Sequence, residues 1–325
     1  MGNKRRADGV RGWRCAVAEA VACAVLLAAV GPVTAAEDSF RLEELDGRRL
    51  KVWAGEQPVL VYNFGEQLAQ GAPANMRRSS YVHPIHGLDD QVLTDDFPKD
   101  HYHHRGLFWA WSQVTVDGKT HDPWGVVGMH TRFEKWLERQ TSPHWARLGV
   151  QNGWYVEGRK VVDEKMRLQA WRAEPGGRPI DVDLTFTAMD RAVQISGRPP
   201  VKGYGGFGLR FAPHGPPAIH TVAGRATTDV VQGKSPWADY SARFGDAKTT
   251  AGIAIFDAKS NPGFPNGWLL RHYGYIGLTW PGLESYTLEP GRPLNLKYRV
   301  WVHKGGFEDG RVKQAYEAYI APPEE

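Results

Sequence analysis

Cysteine is almost missing. The 325-residue chain has two, Cys15 and Cys23, both near its N-terminus. If the segment that holds them is removed, the remainder has no disulfide, no thiolate metal site and no cysteine nucleophile. Long apolar runs are as scarce: residues 15–30 form one, broken only by Glu19, and no second follows. No membrane-crossing helix is therefore expected beyond it. Neither sign of charge prevails. Of 40 Lys and Arg and 36 Asp and Glu, five basic and two acidic residues fall in the first 36 positions, which leaves 35 against 34. So even a balance offers no basic face to a phosphate backbone, and nucleic acid is not an expected ligand. Also lacking are a phosphate loop, a dinucleotide fingerprint, a nucleophile elbow and a zinc-protease helix. Those absences remove many common enzyme classes.

What is present begins with the first 36 residues. Lys4, Arg5, Arg6, Arg11 and Arg14 precede the apolar run, and Pro32, Val33, Thr34, Ala35 and Ala36 follow it, then Glu37 and Asp38. That order predicts a cleavable secretory signal over residues 1–36 and a periplasmic or secreted product. About 289 residues remain as residues 37–325, enough for one large domain whose core needs no staples.

Strand signals dominate this part. Lys165-Met166-Arg167-Leu168-Gln169-Ala170-Trp171, Asp181-Val182-Asp183-Leu184-Thr185-Phe186 and Tyr298-Arg299-Val300-Trp301-Val302-His303 alternate polar and apolar at period two. Gly and Pro clusters such as Glu174-Pro175-Gly176-Gly177 and Gly197-Arg198-Pro199-Pro200 separate the runs. Many strands without alternating helices predict an all-β, antiparallel β-sandwich. Helical spacing occurs once, over residues 308–320, where Val312, Ala315, Tyr316 and Tyr319 share a face. Residues 65–99 are irregular, the kind of loop that carries binding groups.

The densest polar constellation is Asp100-His101-Tyr102-His103-His104-Arg105-Gly106. Seven of twelve histidines lie between positions 83 and 130. An imidazole beside Asp and Arg can act as general acid or base, which makes His101, His103, His104 and Arg105 the catalytic candidates. His83 and His130 are candidate substrate contacts. If His101 to His103 is extended, the two rings share a face, and with His83 they are the ligands to expect for a divalent metal. The sequence fixes no cofactor.

Indole faces stack on the C–H face of a pyranose, so Trp109, Trp124 and Trp237 are candidate walls for a small-molecule or oligosaccharide ligand. Asp239 and Tyr240 follow Trp237 in Ser235-Pro236-Trp237-Ala238-Asp239-Tyr240. Residues 252–256 read as a buried strand that delivers Asp257 and Asn261 to its exit loop, followed by Arg271. Asp257 and Asn261 form either an Asx turn or, with Arg271, part of the histidine mouth.

The ordered segments Pro58-Val59-Leu60-Val61-Tyr62-Asn63, Tyr81-Val82-His83-Pro84, Asp100 to Leu107, Ser235 to Tyr240, Gly252 to Asp257 and Ser260-Asn261-Pro262 resemble the bacterial PmoA-like family, labelled methane oxygenase. Tyr102 and Ala258 depart from it, where Pro and His are expected. The resemblance implies a fold similar to the galactose-mutarotase supersandwich and an exported protein that accompanies carbohydrate degradation; it supplies no catalytic residues, and fold alone fixes no function. Three expectations follow: a carbohydrate-active protein with His-based acid–base chemistry, a copper-, iron- or zinc-dependent oxidoreductase as the label suggests, and a non-catalytic sugar-binding module.

Overall fold

The computed structural model describes residues 39–321, so the expected signal segment lies outside the described residues. Within them the chain is an antiparallel sandwich of two nine-stranded sheets with a smaller four-stranded sheet. The first sheet runs, in spatial order, Phe40–Leu45, Arg49–Ala54, Gln57–Asn63, Tyr81–Ile85, Leu107–Trp111, Gly205–Arg210, Tyr275–Leu278, Gly267–Arg271 and Val230–Lys234. The second runs Gly224–Ala226, Ala218–Thr221, Trp237–Ala242, Ala251–Asp257, Leu294–Lys304, Gly177–Ala188, Arg159–Trp171, Trp145–Val156 and His130–Thr141. All three alternating segments lie inside strands of this second sheet.

Alternation explains how the layers close. In Gly177–Ala188, Val182, Leu184 and Phe186 are buried while Asp181, Asp183 and Thr185 are only half-buried. Those inward residues meet Val52, Leu60, Trp109, Leu209 and Ile276 of the first sheet in one continuous apolar core.

The C-terminal helix is Val312–Ile320 and starts four residues later than the spacing predicts. Arg311 just before it has φ 49°, a left-handed conformation that cannot continue an α-helix backwards. Val312, Ala315 and Tyr316 cover Trp237, Ala254, Phe256 and Trp301 on the outer face of the second sheet. Among the described residues no helix is long and apolar enough to cross a membrane. The irregular stretch predicted over 65–99 holds a single 3-10 turn, Ala74–Met76, and the strand Tyr81–Ile85.

The outer face of the first sheet carries the candidate site. All five residues of Leu107–Trp111 are buried. Leu107, Trp109 and Trp111 point into the sandwich, whereas Phe108 and Ala110 point outward, beneath Trp124, Leu269 and Tyr275. Loops therefore cover this face, and a cleft opens between them.

Candidate functional site

The floor of the cleft is set by strand parity. In Gly267–Arg271, Trp268 and Leu270 enter the core, so Leu269 and Arg271 face the cleft; in Tyr275–Leu278, Tyr275 does the same. Gly208 and Gly277 are register partners on neighbouring strands. A Cβ on either would overlap the Tyr275 hydroxyl, so the two glycines make the space in which that ring lies.

On the floor stands a column of four rings. Tyr273 stacks on His101 (5.3 Å between centroids, 8°), His101 on His104 (4.7 Å, 6°) and His104 on Tyr275 (5.0 Å, 29°). His103 packs edge-on against His104 at 4.6 Å. Trp124, Tyr204, Arg198, Lys202, Asp122 and Asp229 complete the walls of a cleft of about 450 Å³, a volume suited to a small organic ligand.

The histidines sit on a turn, which corrects the extended geometry expected from the sequence. His101 N–H donates to Pro98 O, and His104 N–H to His101 O. The rings of His101 and His103 meet at 75° instead of projecting side by side. Arg105 is fully buried beneath the turn, away from any ligand. Its guanidinium donates to Tyr102 O at 2.6 Å, His104 O at 2.7 Å and Met76 O at 2.5 Å, and lies over Phe97 at 3.6 Å. The sequence suggests a catalytic group at Arg105, but the side chain does not line the cleft and instead holds the turn that carries the histidines. Arg78 acts alongside it, donating to Pro123 O at 3.0 Å and His103 O at 3.4 Å, which ties the histidine turn to the Trp124 loop.

Burial and nearby positive charge keep two of these imidazoles neutral. Desolvation, then His101 and Arg78, lowers His103 to about 4. Desolvation, then His103 and His101, drives His104 well below its ordinary value. His104 is 3% exposed and its Nδ1 has no hydrogen-bond partner. Buried ring nitrogens in folded proteins are usually hydrogen-bonded, so this one is an exception.

Of the residues singled out from the sequence, His101, His103, His104, Trp124 and Arg271 converge on this cleft. The others do not. His83 bonds Thr94 Oγ1 at 3.0 Å and lines a separate cleft, so the trio His101, His103 and His83 does not assemble. Among the described residues no group of three or more His, Cys, Asp or Glu is placed to hold a metal ion. His130 is exposed beside a minor crevice. Trp109 has the wrong parity for the cleft and stacks on Phe207 in the core. Trp237 stacks on Phe307 beneath the C-terminal helix.

Asp239 is buried between His303 Nε2 and Ser241 Oγ, each at 2.8 Å. Tyr240 donates its hydroxyl to His272 O and pairs with His214 Nε2. Asp257 accepts from Asn261 Nδ2 at 2.8 Å and from Asn266, while Asn261 clips Lys297 through both its main-chain groups. Asp257 and Asn261 thus tie their exit loop to the neighbouring strand, and neither lines the histidine cleft. A buried polar network of this kind fixes a loop and leaves no free donor for a ligand.

Sequence reasoning missed Arg198, Lys202, Tyr204, Asp229 and Tyr275. Gly197-Arg198-Pro199-Pro200 reads as punctuation between strands, and only the sheet order shows that this turn folds over the cleft.

No curated protein sequence matches the chain. Among solved structures it is similar to heparan sulfate lyase HepC from Pedobacter heparinus (TM-score 0.38, 9% identity, 83% of this chain and 36% of that one). It is also similar to an alpha-galactosidase from Geobacillus stearothermophilus in complex with raffinose (0.43, 10%, 84% and 40%). A third is the galactose mutarotase related enzyme from Lactobacillus acidophilus (0.39, 10%, 81% and 97%). The chain thus spans well under half of the first two proteins, and likeness at this level assigns no activity. The family described as "Family of unknown function (DUF6807)" matches residues 49–317, and that description names no methane oxygenase.

Proposed function

The chain belongs to DUF6807, a family of unknown function, and from its cleft we propose that it is an exported carbohydrate-active protein acting on a sugar or glycoside by histidine acid–base chemistry. One observation carries the proposal: three imidazoles, an indole and three cationic side chains converge on a single cleft. Trp124, Tyr204 and Tyr273 offer aromatic surface to the C–H face of a sugar ring. Arg198, Lys202 and Arg271 offer donors to its oxygens. His103 and His104, neutral through burial, are free to accept a proton from a hydroxyl or a carbon acid. Export rests on the order of basic, apolar and small residues at the N-terminus.

The test is turnover and binding on a panel of aldoses and glycosides. Replacing both histidines (His103→Ala, His104→Ala) is expected to lower turnover by about 100-fold or more. Trp124→Ala should abolish binding, whereas Trp237→Ala, on the far face of the other sheet, should leave it intact. Equal turnover in wild type and the double histidine variant ends the catalytic assignment. Binding without turnover, kept in the histidine variants and lost in Trp124→Ala, makes the protein a sugar-binding module.

A further inference from the structure

Charge around the cleft is paired with one-to-one regularity, and the exceptions point to a ligand. Arg105 is matched by Asp96 at 3.5 Å, Arg210 by Asp100 at 2.9 Å, Arg271 by Asp229 at 3.2 Å and Arg198 by Asp122. Two cations are left over. Lys202, on the cleft wall, has no carboxylate in ion-pair range among the described residues, and Arg78, beneath the histidine turn, holds only main-chain carbonyls. Asp122 and the buried Glu164 act on Arg78 through space, so Lys202 is the cation of the cleft wall that stands without a nearby carboxylate. A cleft with low-dielectric walls and surplus positive charge concentrates anions.

The cleft also does not end at Tyr273. This residue is shared with a second cleft of about 530 Å³ that contains Arg210, His214 and His272. Asp95, Ala212 and Pro213 in turn belong both to that cleft and to a third, of about 660 Å³, which reaches His83 and Thr94. The first and second clefts thus adjoin at Tyr273, whereas the third, lined by Asp89, Asp90, Asp95 and Asp246, is acidic. In the second cleft Arg210 is 7% exposed, and its Nε and Nη1 are buried without a partner, since only Nη2 is used by Asp100. A buried guanidinium with two idle donors is costly unless a ligand oxygen satisfies them.

We propose that the ligand is an anionic saccharide chain: its acidic group lies in the first cleft against Lys202 and Arg198, and the next unit crosses Tyr273 into the second cleft beside Arg210. This rests on the saccharide reading of the same site and adds two properties to it, charge and length. A neutral monosaccharide in the first cleft would leave the charge of Lys202 without a counter-ion and the idle donors of Arg210 unreached.

Calorimetric titration of the full chain with galacturonate, tetragalacturonate, a sulfated heparin-derived tetrasaccharide, galactose and cellotetraose tests both properties. At least one acidic tetrasaccharide is expected to bind about tenfold or more tightly than cellotetraose and than the acidic monomer, with affinity falling as salt rises. Which acidic chain it is separates carboxylate from sulfate recognition. Lys202→Gln, at an exposed position where folding is not at stake, should weaken that chain about fivefold and flatten the salt dependence of its binding. Tyr273→Ala should bring the tetrasaccharide down toward the monomer. Equal affinity for acidic and neutral chains, or for monomer and tetramer, overturns this inference while the saccharide reading stands. Absence of binding to every saccharide overturns both.

Discussion

Replacing Arg105 by methionine is the sharpest probe of how the histidine turn is held. The side chain is fully buried, and its guanidinium satisfies the carbonyls of Met76, Tyr102 and His104. Hydrogen bonds to a charged group each contribute roughly 1.5–3 kcal/mol, and they are not additive when shared by one cation. Methionine keeps the length and the packing on Phe97 but leaves three carbonyls unsatisfied and Asp96 without its partner. Burial raises that carboxyl to about 6, with Arg105 as its main counterweight. Breaking a buried pair on one side costs roughly 3–5 kcal/mol. For a domain of this size the melting temperature should then fall on the order of 10 °C. Urea unfolding with tryptophan fluorescence reads the loss, and sugar titration reads the displaced imidazoles. Adding Asp96→Asn removes the stranded carboxyl, so the double variant should be less destabilised than the two single changes added together. A loss under about 1 kcal/mol for Arg105→Met would refute the reasoning, since the carbonyls would then be satisfied without it.

Two further outcomes follow from the same geometry. His103 has a folded pKa of about 4, below the value near 6.5 of an unfolded histidine, so in acid the unfolded chain takes up the proton first. Its contribution to stability is therefore complete above about pH 6.5 and is lost as pH falls toward 4. Asp96 and Asp257, both raised to about 6, act with the opposite sign over much of this window, so the quantity to measure is the difference between wild type and His103→Gln. That difference should change between pH 6.5 and 4 and stay flat from 7 to 8; a flat difference throughout would show that His103 titrates normally. Gly208→Ala places a methyl group against the Tyr275 hydroxyl and should cost about 1–3 kcal/mol while weakening sugar binding. Removing the hydroxyl with Tyr275→Phe should recover part of that loss in thermal melts, and no recovery would mean that the strain lies elsewhere.

The sequence by itself determined the all-β class, because period-two alternation in segments such as residues 181–186 admits one buried face, and that is a local property. It singled out residues 101–105 as well, and three of those side chains, His101, His103 and His104, line the cleft. It also located the C-terminal helix, though not its first turn, which depends on the left-handed Arg311. Which candidates meet was decided only by tertiary structure. Trp109 and Phe108 are adjacent in sequence and lie on opposite faces of a strand, one in the sandwich core and the other under the cleft. Asp239 and Asp257 have the same composition signal as the cleft acids Asp122 and Asp229, yet they close internal networks in the second sheet. Arg198 and Lys202 are about 95 residues from the histidines along the chain and reach them because Leu107–Trp111 and Gly205–Arg210 are neighbours in the first sheet. Strand periodicity is written locally, whereas the pairing order that brings distant loops to one sheet face is settled by the packing of the whole core.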